Sequence, residues 1–565
     1  MKNILKSLIW GGGVISLIAM SSTTLQAQIP ATLPDVWVSD VTTTDNYVPD
    51  PLVDDVVVNC DMITDVNSDL PIKAIAWDEG ARSRTTHLYF EDGAGNRASF
   101  PNGGRTINGH RPDIVLGNDI NNPTQNYRAA VVYVNQSNIV QILFYTLKNA
   151  GTPNFEAVLA NVQPLTFYPQ SMPYYDTDPL PHLDMWSEAT TSITGNNGKS
   201  YHALYEWVAT WSEPYLGTTD VYYAQGHING GALITNRTKL STIPVHSGIS
   251  DMSDVACYTE IATGRKRAAF CYTYQKRSNL VVIEMDMTAP GSHFLYDSTH
   301  LTANWVLFPR IEAMSLYTSL LEPARWEVVT IEGQLWGLQH PYCYTNRWGN
   351  PATAVPLATL PSLQSLNIKS PCIAGGLRHT SGATAIGNKQ FTAGYYPWAT
   401  QDLYVRDIDP MTGLPANTNH FIVNMNPLAP APSSYNLADA SKSFALSTCS
   451  NTGDYLLSTW YDGQDDGTGA GGNIWMKLSP NASTMQFKPT IVGTVNKTEL
   501  ILYPNPATSY ICLSQSEGYT IYSLSGGVIQ NGKAEQQQPI NIQRLAKGNY
   551  ILQTSSGKTI HFTKL

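Results

Sequence analysis

Short turn-bounded strands, a three-element pattern recurring seven times, and the absence of any convincing amphipathic helix predict an all-β chain. The expected architecture is a seven-bladed β-propeller, with six or eight blades left open, followed by a small β-sandwich. Charged residues are only 14% of the 565, Gly and Pro number 42 and 35, and Tyr alone contributes 31. That balance favours turns and strands over helices. The expected domains are a signal peptide at 1–27, the propeller at 28–490, a linker with a processing site at 491–499, and a C-terminal domain at 500–565.

Each repeat opens with a short apolar or Pro-led entry. The seven are Leu52-Val53-Asp54, Pro112-Asp113-Ile114-Val115, Pro181-His182-Leu183-Asp184, Gly248-Ile249-Ser250-Asp251, Pro309-Arg310-Ile311-Glu312, Pro371-Cys372-Ile373-Ala374 and Ala438-Asp439-Ala440-Ser441. Their last members fall 61, 69, 67, 61, 62 and 67 residues apart. A second strand rich in Ala and aromatics follows, as in Ala74-Ile75-Ala76-Trp77 and Ala268-Ala269-Phe270-Cys271-Tyr272. A third comes next, as in His87-Leu88-Tyr89-Phe90, Asp220-Val221-Tyr222-Tyr223, Leu335-Trp336-Gly337-Leu338 and Asn473-Ile474-Trp475-Met476. Small residues on the second strand suit a sheet packed between two neighbours, and no repeat can bury both faces alone, so the set should close into a ring. The stretch Asp35-Val36-Trp37-Val38-Ser39 has the third-strand pattern but precedes the first repeat, so it is expected to complete the last blade. Two or three consecutive β-sandwiches are the alternative, which the near-constant period disfavours. The run from Asp402 to Gly413 resembles the blade repeat of exported bacterial propellers.

The C-terminal module has apolar runs at 510–513, 519–522, 540–542, 550–552 and 559–562, bounded by Gly, Pro, Ser and Asn. Gly526, Gly527, Gly532 and Gly548 are expected in tight turns. A Tyr503-Pro504-Asn505-Pro506 start, an Ile-Tyr-Ser-Leu-Ser-Gly middle, a Leu545-x-x-Gly548-x-Tyr550 strand and a terminal Lys564 resemble the type A C-terminal sorting domain of the type IX secretion system of Bacteroidetes. Pro504, Asn505, Pro506, Gly548 and Tyr550 carry that motif. The resemblance implies partnership with the type IX secretion and sorting machinery, passage through the outer membrane, removal of the domain, and attachment of the body to surface lipopolysaccharide.

The other end agrees. Lys2 and Lys6 precede an apolar stretch from Leu8 to Met20, and a cut between Ala27 and Gln28 fits a secretory signal. No later segment has the unbroken apolar run of a membrane helix, so the mature chain is expected to be secreted or held at the surface. With 34 Lys plus Arg against 44 Asp plus Glu, a net charge of -10 excludes nucleic acid as a partner, because phosphate binding needs a basic face. Seven Cys in an exported chain of this size do not make a disulfide scaffold. Cys257 and Cys271 flank the turn at 262–266 symmetrically, which leaves a cross-strand disulfide or two packed thiols open.

In such a ring, entry loops and the loops joining second to third strands gather at one mouth. They would bring together Asp113, His182, Asp184, Trp211, Asp251, Arg310, Glu312, Tyr396 and Trp398 as ligand-binding candidates. The wider set includes Asp54, Asp254 and Asp439. Aromatic faces stack on sugar rings and paired carboxylates can cleave glycosides. Equally, axial acids can simply accept strand-end amides, so no residue is assigned as catalytic. No Gly-x-Ser-x-Gly elbow stands in a strand-to-helix context, and no His-Glu-x-x-His occurs. No cofactor is expected. The one candidate for calcium is the loop bearing Asp462, Asp465 and Asp466, against a solvated hairpin as the plainer account. The expectation is a non-enzymatic surface module binding a glycan or a protein, with a secreted glycosidase-like enzyme as the alternative.

Overall fold

The computed structural model describes strands and adjoining turns between residues 36 and 564; residues 1–35, 39–56, 167–180, 241–249, 314–325, 376–390, 424–443 and 481–501 are among those outside it. The signal cleavage site at Ala27 and Gln28, the entries ending at Asp54 and Asp439, and Pro504, Asn505 and Pro506 therefore lie outside the described residues. Every described element is a β-strand, short turn or bridge, and none is a helix.

One seven-stranded sheet and five smaller ones make the body. The large sheet runs in order through Val58–Thr64, Pro71–Asp78, Thr85–Glu91, Thr106–Asn118, Asn126–Asn135, Val140–Lys148 and Glu156–Pro164. Its long fourth strand serves two halves: Thr106, Ile107 and Asn108 pair with the strand before, and Gly109 onward with the strand after. These halves are counted below as the first and second sheets. The third to fifth sheets begin with inner strands His182–Thr194, Ser250–Glu260 and Trp305–Ala313, each followed by three antiparallel neighbours in chain order. The sixth begins with Ile368–Gly375, and the last with Phe444–Thr448, Tyr455–Asp462 and Asn473–Pro480. The outer position of the last sheet is filled from the start of the chain, where Val36 pairs with Met476 and Trp37 with Trp475, as the sequence pattern led us to expect.

Packing follows sequence character. Ala74, Ala76, Ala129, Ala268, Ala269 and Ala393, all on second strands, are completely buried, and larger side chains fill the wedges between sheets. One apolar cluster joins Trp186 and Val208 of the third sheet to Val255 and Phe270 of the fourth, and another joins Tyr258 and Ala269 of the fourth to Val306 and Trp326 of the fifth. Val329 meets Ile373 and Phe391, and Cys372 meets Phe444 and Trp460. Leu457 and Ile474 of the last sheet, with Val38 beside them, pack with Val58 and Ile75 of the first.

A bulge recurs in the inner strands. The register shifts between His110 and Asp113, between Asp251 and Asp254, between Leu307 and Arg310, and between Lys369 and Cys372. In each, three steps on the inner strand match two on its partner, the extra residue that defines a bulge. Arg111 and Met252 within them take positive φ, 57° and 54°. The bulge re-aims the residue after it: Asp113, Asp254, Arg310 and Cys372 all reach one central cavity.

Several expectations need correction. Cys257 and Cys271 are free thiols; Glu260 pairs with Arg265, so Cys257 stands opposite Ala268 and Cys271 opposite Asp254. The pairing of the two strands is centred earlier than symmetry about Gly264 assumes. The third strand of the fifth sheet is Gln339–Arg347, whereas Leu335 to Leu338 lie outside the described residues. The first inner strand begins at Val58, later than the entry at 52–54 suggests.

The C-terminal module is two sheets, Leu502–Tyr503 with Tyr510–Leu513 and Ile540–Asn541, and a four-stranded sheet of Val528–Ala534, Glu517–Ser523, Gly548–Thr554 and Thr559–Lys564 in that order. Its core contains Ile511, Leu513, Ile521, Ile542, Leu552 and Phe562. Gly548 has φ of 149°, a conformation few side chains adopt, while Tyr550 stacks on Phe562 at 5.5 Å and its hydroxyl donates to Ala546 O at 2.6 Å. Gly532 is in a strand, not a turn, where a Cβ would sit 2.9 Å from the Tyr519 hydroxyl.

Candidate functional site

Residues of all seven inner strands line one small cavity of about 90 Å³, among them Asn59, Asp61, Asp113, His182, Asp184, Asp254, Arg310, Glu312, Cys372 and Ser447. Alternate residues of a strand face the same side, so the spacing polar-x-acid in Asn59-Cys60-Asp61, His182-Leu183-Asp184 and Arg310-Ile311-Glu312 stacks two levels of polar groups along the cavity.

The acids hold neighbouring sheets. Leu116 N–H donates to Asp61 Oδ2 at 2.7 Å, Leu183 N–H to Asp113 Oδ2 at 2.9 Å, Cys257 N–H to Asp184 Oδ2 at 2.6 Å, and Ile311 N–H to Asp254 Oδ2 at 3.0 Å. Each bond runs from one sheet to the next. The other oxygens are also engaged: Asp113 Oδ1 accepts from Ile114 N–H and Asp254 Oδ1 from Val255 N–H, both at 2.9 Å, and Asp61 Oδ1 from the Ser447 hydroxyl at 3.0 Å. Glu312 Oε1 accepts from Ala313 N–H at 2.8 Å. Charge-assisted bonds of this kind are roughly twice as strong as neutral ones.

A tighter cluster lies within this cavity. His182 Nδ1 is 3.2 Å from Asp113 Oδ2 and 3.6 Å from Asp254 Oδ1, and Arg310 Nη1 is 2.8 Å from His182 Nδ1 and 2.7 Å from Nε2. Burial raises the Asp254 carboxyl above its usual value, against the opposing pull of His182 and Arg310. Burial also pushes the Cys60, Cys271 and Cys372 thiols well above their usual range, which keeps them protonated and poor nucleophiles.

Of the ligand-binding candidates, Asp113, His182, Asp184, Arg310 and Glu312 meet at this cavity. Trp211 does not. It lies in the long strand Ser200–Tyr215, wholly buried, opposite Tyr222, and its Nε1–H donates to Glu213 Oε1 at 2.7 Å. Trp211 was expected in the loop joining the second strand to the third; it is strand. Asp251 and Tyr396 occupy strand positions just outside the bulges, with side chains outside the described residues, and Trp398 lies outside them altogether. The fourth sheet brings Asp254 to the cavity, just after the bulge at Met252-Ser253. Asp61 and Ser447 were missed; the polar-x-acid alternation at 59–61 was the available signal. Asp462 ends the strand Tyr455–Asp462, and Asp465 and Asp466 lie outside the described residues. Among the described residues no group of three or more His, Cys, Asp or Glu could hold a metal ion, and no helix is long and apolar enough to cross a membrane.

Comparison with known proteins divides the chain in two. Residues 501–565 match the Secretion system C-terminal sorting domain. The chain is therefore a type IX secretion substrate, delivered out of the cell or to its surface, and it interacts with that machinery through this domain. No curated protein matches the chain. Among solved structures, the fucose-specific lectin from Aleuria aurantia is 8% identical, with a TM-score of 0.37 over 68% of this chain and 100% of the lectin. The polysaccharide lyase Uly1 is 8% identical, with a TM-score of 0.35 over 72% and 88%. An α-L-arabinanase of Penicillium chrysogenum is 12% identical, with a TM-score of 0.27 over 53% and 92%. At these scores the likeness assigns no chemistry to this chain.

Proposed function

We propose that the body is a seven-bladed β-propeller, closed by the strand at Val36–Trp37, that binds a glycan or a protein at the cell surface without chemical turnover. The propeller spans 28–490, behind a signal peptide at 1–27 and before a linker at 491–499 where the sorting domain is cut away. Closure is supported by the packing of the last sheet on the first and by the seven inner strands around one cavity.

The observation that carries the non-enzymatic reading is the engagement of the axial carboxylates with backbone N–H groups of neighbouring sheets. A general acid or nucleophile must exchange protons or bonds with a substrate, and Asp113 and Asp254, with both oxygens occupied by backbone donors, are poorly placed to do so. A cavity of about 90 Å³ is also far below the roughly 300–1,000 Å³ of ordinary ligand pockets. The ligand would then lie across the mouth, above a floor of Asp113, His182, Asp184, Arg310 and Glu312, with Asp251, Tyr396 and Trp398 on the approach. Attachment to lipopolysaccharide in the outer membrane of a member of the Bacteroidetes is part of the same proposal. A glycan array probed with the secreted protein, with Trp398→Ala and Tyr396→Ala as controls, tests it: retention lost in these variants supports the mouth, and retention unchanged in both removes it.

A further inference from the structure

The sorting domain has a sheet edge that its own fold does not use. Val528–Ala534 is the outermost strand of the four-stranded sheet and pairs on one side only, with Glu517–Ser523. The opposite outer strand, Thr559–Lys564, is covered in part: Ala507 bridges to Lys564, and its N–H donates to Thr563 O at 2.8 Å. Among the described residues no segment does the same for Val528–Ala534.

The backbone of this strand turns outward at a defined place. Lys533 stands opposite Gly518, whose C=O accepts from Ser555 N–H at 2.7 Å and whose N–H donates to Ser555 Oγ at 3.1 Å, on the side of Gly548–Thr554. Gly518 and Lys533 are therefore a non-hydrogen-bonded pair of the antiparallel ladder, each turning its backbone groups away from the other. Asn531 lies two residues earlier in the same unshifted register, so its N–H and C=O also face away from the sheet.

Side chains mark the same edge. Ile521 opposes Gln530 and Tyr522 opposes Val528, which leaves Ile529 as the extra residue of a bulge. Opposed residues share a face and successive residues alternate. With Ile521 in the core, Tyr522 and Val528 are on the solvent face, where Tyr522 in turn opposes Ile551. Val528 is 59% exposed and Ile529 44%. Two neighbouring apolar side chains beside outward backbone groups make a template for another strand.

We propose that an extended segment of the type IX secretion machinery adds to this edge as a fifth strand, hydrogen-bonding to Asn531 and covering Val528 and Ile529. The occupant follows from the role of the domain, through which the chain meets that machinery, and from the partial cover on the other outer strand. A strand added here takes its affinity from main-chain hydrogen bonds and its selectivity from the apolar pair.

Export of the full chain from its own cells tests this with three variants. Val528→Lys/Ile529→Lys alters exposed side chains only, Asn531→Pro removes the outward N–H and leaves the bonds to Glu517–Ser523, and Asn531→Ala keeps that N–H. The first two should stay in the periplasm with a sorting domain that resists protease, while Asn531→Ala reaches the surface like the wild type. Wild-type surface levels of either of the first two overturn the proposal, as does retention of Asn531→Ala. So does a wild-type dimer that the first two dissolve without loss of export, which would give the edge to a second copy of this chain. Should Asn531→Pro lose its protease resistance, the Val528→Lys/Ile529→Lys variant decides alone.

Discussion

Replacing Asp61 should loosen the body at the joint between its first, second and last sheets. Its Oδ2 accepts the buried Leu116 N–H and its Oδ1 accepts the Ser447 hydroxyl from 386 residues away. In Asp61→Ala the Leu116 N–H loses its acceptor, a loss of about 1–3 kcal/mol, and the charge-assisted bonds go with it. Ser447 suffers less, since its hydroxyl also reaches Thr448 O. Allowing for the relief of no longer burying a carboxylate, the net loss is about 2–4 kcal/mol, and Asp61→Asn should cost about half of that. With an unfolding entropy of about 2.1 cal/mol/K per residue, a body of about 450 residues shifts by roughly 1 °C per kcal/mol, so urea denaturation is the better assay. A double-mutant cycle with Ser447→Ala should return a coupling of about 1 kcal/mol. A loss in Asp61→Ala below about 0.5 kcal/mol, or no coupling, would refute the role of this acid as a closure between distant parts of the chain.

Other outcomes follow from the same geometry. Gly394→Ala should destabilise by about 1–3 kcal/mol in urea, because its Cβ would lie 2.7 Å from Cys372 Sγ and from Phe444 Cε1. In native protein Cys257, Cys271 and Cys372 should resist a thiol reagent and react once denatured, and an intact mass two hydrogens lighter than the reduced chain would sink the free-thiol assignment. Asp254 has a folded-state value raised above the ordinary 3.8, so the fold binds its proton more tightly than the unfolded chain does. Its contribution to stability is full below the unfolded value and is lost as pH rises through the folded one. Relative to Asp254→Asn, the wild type should therefore gain stability on acidification from neutrality towards about pH 4, as paired urea titrations would show. Removal of residues 496–565 should strand the protein in the periplasm; normal surface appearance in cell fractionation would contradict the sorting assignment.

The elements legible in the sequence were those whose environment leaves little choice. Strands such as Pro71–Asp78 are buried at every position, and their unbroken apolar or Ala-rich runs reveal them. Outer strands such as Glu156–Pro164, buried at only one of nine positions, carry no such pattern, so apart from Val36–Trp37 the fourth strands went unseen. Bulges were invisible because a single extra residue at Arg111-Pro112 or Met252-Ser253 leaves no compositional trace, yet it sets the register of Asp113 and Asp254 at the cavity. The same register sensitivity undid the symmetric pairing of Cys257 with Cys271. The sorting domain was read most fully, since its motifs are local and ordered. Among the site residues, Arg310, His182 and Asp113 were named from their place in the repeat, but their mutual contacts depend on sheets 69 and 128 residues apart.

Turnover is the most direct test of the central claim, that the axial carboxylates hold the sheets together and leave the mouth to bind. The purified secreted protein, incubated with a panel of oligosaccharides and polysaccharides and followed by product mass, should retain ligands and return every one uncleaved. Cleavage that disappears in Asp184→Asn or Glu312→Gln variants that still fold would contradict the account and make the chain an enzyme.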